Sequence, residues 1–339
     1  MTLRLEPVEL DDVPWSELER RPDATVAQTR GWLAFLAETQ HAEPVAARVL
    51  DGDEVVGWYR GAVAGRLGIR ILGSPLRGWA TGAMGFVLDP GVERAEAVAA
   101  LRPFAFGHLR CVHLEVADGE VTADQVASTG LHPEELPGWQ LDLRRDEAAL
   151  LAGMNQMARR NIRKAEREGV RIEVVEPPDV DRFVSDHATL AAEVFARRGR
   201  RPPTGPDRLA ALVRHLAPAG HLLLVRAVGP DERTLSTGIF PGLPSGTAGF
   251  WTGATSRSAP APASEAVMWE AMRRWRDRGA TCFDLGGGGP YKEKFGGEPH
   301  ALLRLHGSRF GALDTARRWV VAAERHRRLR RAQRALDAS

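Results

Sequence analysis

One order of predicted elements occurs twice in this sequence, about 170 residues apart. In each copy two strands form a hairpin, and a strand, a helix and another strand follow. The first hairpin turns at Asp51-Gly52-Asp53, a typical connection between paired strands. The elements of the repeat are predicted at residues 45–50, 54–60, 82–88, 92–109 and 111–116, and again at 222–227, 234–240, 248–253, 264–278 and 281–285. This order indicates an internal duplication of one α/β unit.

The length agrees with a duplication, because 339 residues exceed one ordinary domain and suit two. We expect a first domain at residues 1–143 and a second at residues 144–310. Further helices are predicted at 147–168, 179–197 and 206–217, and a basic helix at 313–336 lies within a C-terminal segment of residues 311–339.

Several classes of protein are disfavoured by the composition. No window approaches eighteen apolar residues, and the N-terminus lacks the apolar core of a secretory signal, so we expect a cytoplasmic protein. Cys111 and Cys282 form no C-x-x-C pair, and the ten histidines show no ligand spacing, so no metal site is predicted. No Gly-x-Ser-x-Gly motif of a serine hydrolase occurs.

The basic residues are unevenly distributed. Residues 315–339 contain eight arginines against two acids, which gives this end a net charge of +6 and leaves −4 for the rest. Only three of the 46 basic residues are lysines: Lys164, Lys292 and Lys294. A site that requires a compact ammonium would keep lysine despite such a bias, although Lys292 and Lys294 could also lie on a loop by chance.

The strongest local signal follows the last predicted strand of the second copy of the repeat. That strand ends at Asp284-Leu285, four glycines occupy 286–289, and Lys292 comes three residues later. Consecutive glycines allow backbone amides to approach a ligand closely, at a strand end where sites tend to form. The pattern is neither a P-loop nor a Rossmann fingerprint, and a merely flexible loop is the alternative.

Three further groups of arginines could contact anions. Arg159, Arg160, Arg163 and Lys164 lie on one predicted helix, either as a solvated face or as a contact for phosphates. Arg197 and Arg198 end another helix, where they complement the helix dipole or clamp a carboxylate or diphosphate. The C-terminal helix ends in Arg327, Arg328, Arg330 and Arg331, which are available to nucleic acid or to a peripheral contact with anionic lipid.

The second half resembles the FemABX family. The resemblance rests on residues 139–143, on the Met157–Val170 segment, on Phe283-Asp284-Leu285-Gly286-Gly287, and on the segment from Tyr291 to Gly297. It implies a mixed α/β fold of two tandem GNAT-like domains with mixed central sheets, with the C-terminal helix packed back on the first domain. Over residues 1–138 it rests mainly on residues 28–32 and on the order of elements.

What the resemblance implies is aminoacyl transfer from aminoacyl-tRNA to an amine of a peptidoglycan precursor or of a peptide-type natural product. The family's lysine falls on Lys292, its acceptor-phosphate arginine falls on Arg197 or Arg198, and Asp89 resembles an acid of the acceptor groove. The other residues expected to bind substrate are Arg77, Trp251, Asp284, Gly287, Gly288, Tyr291 and Phe295. The expected partners are aminoacyl-tRNA and the amine acceptor, and the expected state is a monomer.

This chemistry has a simple physical basis. Aminolysis of an ester places negative charge on a tetrahedral oxygen, which the Lys292 ammonium can stabilise. Asp89 could orient the acceptor ammonium and accept its proton. The ester is already activated, so neither ATP nor a cofactor is required. The basic residues of 158–171 and 317–334 would hold tRNA through its phosphates.

Two alternatives remain open. GNAT domains commonly use acyl-CoA, but the usual Arg/Gln-x-x-Gly-x-Gly/Ala loop precedes neither predicted helix, and Pro260 and Pro262 lack amide donors. A non-catalytic binder of nucleic acid or anionic membrane would need the C-terminal arginines but not Lys292.

Overall fold

Two β-sheets organise the chain in a computed structural model that describes residues 3–66, 68–177, 179–196, 199–257, 259, 262–287 and 290–315. In chain order the strands are β1 (Arg4–Val8), β2 (Glu43–Asp51), β3 (Glu54–Arg66), β4 (Ile69–Ser74), β5 (Gly85–Leu88), β6 (His113–Asp118), β7 (His132–Asp142), β8 (Arg171–Val174), β9 (Leu222–Val228), β10 (Thr234–Pro241), β11 (Thr247–Gly249), β12 (Thr252–Thr255), β13 (Cys282–Gly287) and β14 (Glu298–Ser308).

The helices lie between and beside these strands. They are α1 (Trp15–Leu18), α2 (Arg30–Gln40), α3 (Arg94–Ala99), α4 (Leu101–Pro103), α5 (Val126–Thr129), α6 (Glu147–Gly153), α7 (Gln156–Arg167), α8 (Val180–Ala196), α9 (Pro206–Leu216), α10 (Ala263–Asp277) and α11 (Pro290–Glu293). The predicted mixed α/β class is confirmed.

The larger sheet runs through both halves of the sequence. Within the described residues its order is β1-β2-β3-β4-β6-β14-β7-β13-β11, with β5 also paired to β3. The smaller sheet has the order β12-β10-β9-β8. Strand β14, from the end of the second half, pairs antiparallel with both β6 and β7. The sheet therefore crosses the division expected after residue 143.

Both predicted hairpins form. β2 and β3 pair antiparallel and meet at Asp51 and Glu54, as the Asp-Gly-Asp turn predicts. β9 and β10 pair in the same way in the second half. Strands β9 and β10 are buried along almost their whole length, and β2 and β3 flank a turn typical of hairpins, so both hairpins could be predicted from the sequence.

The helix predicted over 147–168 is wrong as a single element. It is two helices, α6 and α7, separated at Met154-Asn155. The Asn155 side chain accepts a hydrogen bond from Ala158 N at 2.8 Å and so begins a new helix. The helix predicted over 92–109 is likewise divided into α3, α4 and a π-helical turn at Phe104–His108.

A shared core joins the two halves. Trp32 and Phe35 of α2 pack in one buried cluster with Leu212 of α9 and Ile239 of β10. A Cβ atom on Gly31 would lie 2.5 Å from the carbonyl oxygen of His215, so α2 and α9 approach each other through this glycine. The halves thus form one continuous body around the site described below.

The C-terminal segment is described only as far as Thr315, and its last described residues, 311–315, are helical. The predicted packing of a basic helix on the first domain therefore lies outside the described residues. In the described part of the chain, no helix combines the length and apolarity needed to span a bilayer.

Candidate active site

The site begins where the chain passes from the larger sheet, in β11, to the smaller sheet, in β12. β11 pairs parallel with β13 in the larger sheet, whereas β12 pairs antiparallel with β10 in the smaller one. The change occurs at Phe250-Trp251. Phe250 N donates to Asp284 O of β13 at 2.8 Å, and Trp251 N donates to Ile239 O of β10 at 3.0 Å. Two consecutive amides thus form hydrogen bonds to strands of different sheets. The two sheets diverge here.

A cleft of about 230 Å³ lies beside this change of sheet. Gly238 of β10 and Gly253 of β12 are paired across the two strands at its floor. A Cβ atom on Gly253 would lie 3.1 Å from the Phe250 ring, so glycine keeps this space open. The lining residues are small, neutral or apolar: Ser236, Thr237, Gly238, Phe250, Gly253, Ala254, Thr255, Ser264, Val267, Met268 and Tyr291.

Lys292 lies next to the cleft. Its Nζ atom is 5.4 Å from the centre of the Phe250 ring, which lines the cleft. Gly286 has a φ of +74°, and a Cβ atom there would lie 3.0 Å from Nζ. Among the described residues, no carboxylate forms a salt bridge with this ammonium. Burial lowers the pKa of Lys292, and the charge of Asp284 opposes that shift.

Asp284 shapes the turn that precedes Lys292. Its Oδ1 atom accepts a hydrogen bond from Gly286 N at 2.6 Å. Burial raises the pKa of Asp284, and the Gly286 amide and the Lys292 charge act against this. The predicted strand–glycine–lysine element therefore brings Asp284, Gly286 and Lys292 together. Gly287 is exposed just after them, and Gly288 lies outside the described residues.

Tyr291 and Phe295 have different surroundings. Tyr291 lines the cleft and is 38% exposed. Phe295 has no exposed surface and belongs to the core of the second half. Its ring meets the Tyr291 ring edge-to-face, with centroids 5.5 Å apart. Phe295 was expected to bind substrate, but its side chain is buried in the core and packs against the Tyr291 ring.

Trp251 and Arg208 face the first half. Trp251 Nε1 donates to Ala80 O at 2.7 Å. The Arg208 guanidinium lies 5.8 Å from the centre of the Trp251 ring and 5.5 Å from that of Phe35. It donates to Trp79 O, and burial lowers its pKa. No carboxylate in the described part of the chain pairs with it. Sequence reasoning missed Arg208, because only tertiary packing brings its aromatic neighbours together.

Asp89 and Arg77 lie apart from Lys292. Asp89 forms an ion pair with Arg21 at 2.9 Å and lines a separate cavity of about 430 Å³ in the first half, which shares no lining residue with the cleft. The Arg77 amide donates to Glu115 at 2.7 Å, and its guanidinium lies 3.3 Å from Glu134. The sequence grouped these two residues with Lys292, whereas the structure gives each its own ion-paired surroundings.

Helix α7 presents a basic face. Arg160 and Arg163 are exposed, Lys164 is half-buried, and within the described residues none of them has an ion-pair partner. Arg159 differs, because it donates to the carbonyl oxygens of Ala152 and Met154 at the end of α6. The remaining arginines predicted to contact anions, Arg197, Arg198, Arg327, Arg328, Arg330 and Arg331, lie outside the described residues. No group of three or more potential metal ligands occurs in the described part of the chain.

Comparisons with known proteins agree with this architecture. Residues 152–294 match the model of the acetyltransferase (GNAT) domain family, whereas no curated protein sequence matches the chain. The crystal structure of FemX superposes with a TM-score of 0.71 at 14% identity, covering 88% of this chain and 96% of that one. A conserved protein of unknown function from Bacteroides thetaiotaomicron gives 0.59 at 12% identity, covering 90% and 99%. L-PGS from Bacillus licheniformis gives 0.51 at 13% identity, covering 82% and 87%.

Proposed function

We propose that this chain, which has the tandem GNAT fold of FemX and an acetyltransferase (GNAT) domain at residues 152–294, is an aminoacyltransferase. In this proposal it moves an amino acid from aminoacyl-tRNA to an amine of a peptide-like acceptor, either a peptidoglycan precursor or a peptide natural product. The GNAT domain supports the broader class, acyl transfer. The FemABX motifs around Lys292 support the aminoacyl donor.

The observation that carries the proposal is the position of Lys292. Its ammonium lies beside a small neutral cleft and forms no salt bridge with a described carboxylate, so its charge is available to a reacting group. A positive charge held in a partly dehydrated site stabilises a developing oxyanion more strongly than it would in water. Acyl transfer from an ester needs this stabilisation and no enzyme nucleophile.

The proposed reaction proceeds by direct aminolysis. The neutral acceptor amine, after its ammonium has lost a proton to solvent, attacks the ester carbonyl carbon, and the carbonyl oxygen becomes an oxyanion beside Lys292. The tetrahedral intermediate collapses when the bond to the ribose oxygen breaks. That oxygen takes the proton that leaves the attacking nitrogen, so an amide and a free tRNA hydroxyl are formed. Asp89 remains a predicted contact of the acceptor ammonium, although its cavity lies apart from the cleft.

Two surfaces suit the two substrates. The exposed Arg160 and Arg163 of α7 are available to tRNA phosphates, which bind without much reading of sequence. Arg208, which lies beside the rings of Phe35 and Trp251 without a described carboxylate partner, suits an anionic group of the acceptor. Phe250 and Trp251 are consecutive residues in the link between β11 and β12, so Lys292 and Arg208 contact the rings of adjacent residues.

Acyl-CoA-dependent N-acylation is the second candidate, and the GNAT domain match favours it. The segment between β12 and α10 includes Pro260 and Pro262, which offer no amide hydrogen to a diphosphate. This composition favours aminoacyl-tRNA over acyl-CoA.

The test is a comparison of donors. Purified protein receives either labelled mixed aminoacyl-tRNA or labelled acyl-CoA, each with a pool of amine-bearing peptides and muropeptides. We expect transfer from aminoacyl-tRNA that ribonuclease abolishes and that Lys292→Ala removes, while Arg4→Gln, an exposed arginine on β1, remains active. Transfer from acyl-CoA alone would overturn the aminoacyl-tRNA proposal and establish the second candidate.

A further inference from the structure

Lys294 forms a buried ion pair that the proposed chemistry does not use. Its Nζ atom lies 2.6 Å from Glu265 Oε1, and the two side chains are 8% and 6% exposed. Lys294 follows the turn that bears Lys292, whereas Glu265 lies in the first turn of α10, at the wall of the cleft. The pair therefore links α10 to the segment that carries Tyr291 and Lys292.

Glu265 is fully engaged by neighbours from three elements. Besides Lys294, it accepts hydrogen bonds from Asn161 of α7 and from Ser264 of α10, both at 2.8 Å. Burial alone would raise the pKa of Glu265, but these donors outweigh it and lower the pKa. The buried Glu265 carboxylate thus connects α7, α10 and the segment that carries Lys294.

The Lys294 ammonium also contacts the wall of the cleft directly. It lies 3.9 Å from the centre of the Tyr291 ring, close enough for a cation–π interaction. The backbone of the same residue accepts a hydrogen bond from Asn155 N, at the start of α7, at 2.9 Å. Two residues later, Gly296 has a φ of +77° and approaches the Gly153 backbone so closely that no Cβ atom would fit. The segment that follows Tyr291 is therefore held against α6 and the start of α7.

The residue type is informative in this chain. Lysines number only three, against 43 arginines, yet this niche holds a lysine. An ammonium is compact enough to donate to Glu265 and to face the Tyr291 ring at once, whereas a planar guanidinium fills more space and donates in a fixed plane. The space between Glu265 and the Tyr291 ring therefore fits a lysine better than an arginine.

We propose that Lys294 is a positioning residue: together with Glu265 it holds Tyr291 as the wall of the cleft and thereby sets the orientation of the turn that carries Lys292. Its kinetic consequence rests on the proposed acyl transfer, but the placement of Tyr291 does not. The effect on rate comes from geometry, because a small displacement of a reacting group lowers a rate steeply.

The experiment separates this role from simple stabilisation. Lys294→Met leaves the Glu265 charge buried and unpaired, so both the melting temperature and the transfer rate fall. Lys294→Met/Glu265→Gln removes both charges, so we expect the melting temperature to recover while kcat stays about tenfold to a hundredfold below wild type with little change in KM. In Lys294→Arg, which keeps a positive charge at this position, we expect kcat to stay below the wild-type value. Arg274→Met/Glu270→Gln, which removes an ion pair elsewhere on α10, leaves kcat unchanged.

A spectroscopic readout does not depend on activity. The chain has two tyrosines, Tyr59 and Tyr291, so 3-fluorotyrosine labelling gives two ¹⁹F signals, assigned with Tyr291→Phe. We expect the H₂O/D₂O isotope shift of the Tyr291 signal to increase in the double variant, because the ring becomes more exposed to solvent, while fully buried Tyr59 does not change. An unchanged Tyr291 isotope shift, or a double variant with wild-type kcat, would overturn the proposal. If no aminoacyl-tRNA transfer occurs in the wild type, the ¹⁹F comparison alone decides.

Discussion

The Nζ atom of Lys292 lies 5.4 Å from the centre of the Phe250 ring, in the short link between β11 of the larger sheet and β12 of the smaller. The divergence of the sheets opens the cleft, and Gly286 of β13 leaves room for the Lys292 ammonium beside it. Topology and a local sequence motif thus meet at one point.

Replacing Lys292 removes the charge proposed to stabilise the oxyanion. We expect Lys292→Ala to lower kcat by about a hundredfold to a thousandfold, as loss of an oxyanion-stabilising group does. The melting temperature should change little, because this ammonium forms no salt bridge within the described residues. Single-turnover rates with labelled donor measure the first effect and calorimetry the second. A variant with nearly full activity would rule out this role for Lys292.

The same lysine predicts an alkaline limit to activity. Burial lowers its pKa below the ordinary 10.5, so the charged form is lost at a lower pH than in free lysine. The rate should therefore fall on the alkaline side at a pH below 10.5. In Lys292→Arg this limit should move to higher pH, because guanidinium keeps its proton. A pH profile with the same alkaline limb in both proteins would contradict the assignment.

Gly238 and Gly253, which face each other in the cleft, should set its size. In Gly253→Ala the added methyl group would lie 2.9 Å from Thr237 O and 3.1 Å from the Phe250 ring, so the paired backbones of β10 and β12 must shift and the ring must give way. We expect kcat/KM for the donor to fall by about tenfold, in line with the effect of roughly 1 Å displacements. Gly107→Ala, where a Cβ atom meets nothing within 4 Å, is the matched control. Equal kinetics for the two variants would show that the cleft does not hold the acyl group.

Neutralising the basic face of α7 should weaken tRNA binding in proportion to the salt bridges lost. In Arg160→Gln/Arg163→Gln, the slope of log binding constant against log salt should become shallower by about one per phosphate contact. Arg182→Gln, an exposed arginine on α8, should leave the slope unchanged. Filter binding over a range of salt concentrations measures this. An identical slope in the double variant and the wild type would place the tRNA elsewhere.

His187 should make stability depend on pH. It is 3% exposed, its Nδ1 atom lies 2.9 Å from Thr237 Oγ1, and burial lowers its pKa to about 4 from 6.5. Between about pH 6.5 and pH 4, His187 is therefore protonated in the unfolded chain but neutral in the folded one. Stability from this group is complete above pH 6.5 and falls by up to about 3 kcal/mol as the pH approaches 4.

The check on His187 is urea unfolding across this pH range. In His187→Asn, the part of the acid loss due to the histidine should disappear, so the variant should lose less stability than the wild type between pH 6.5 and 4. Parallel curves for the two proteins would show that His187 does not control this loss.

The sequence predicted the parts of the site that are local in the chain. The hairpin of β2 and β3, the strand before the glycines and the placement of Lys292 all depend on residues near one another in sequence. Arg208 could not be predicted in this way, because Phe35 and Trp251, its aromatic neighbours, come from distant segments. The same holds for the Lys294–Glu265 pair, which joins residues 29 positions apart.

Two misassignments have physical causes. The pattern over 147–168 suits one helix, but Asn155 caps a second one, a competition that periodicity does not reveal. Phe295 lies in a motif with Tyr291 and Lys292, yet an apolar ring next to a core is buried and not presented to a ligand. Proximity in a motif indicates shared structure more reliably than shared chemistry.

The insertion of β14 between β6 and β7 has a consequence for how the chain is made. As the ribosome releases the polypeptide, residues 298–308 emerge last among the described strands, yet they complete the pairing of strands synthesised far earlier. Until then β6 and β7 each present an open edge that could pair with another nascent chain. A chain truncated after residue 143 would lack β14 and would leave those edges unpaired, so residues 1–143 do not contain the strand that completes their own part of the sheet.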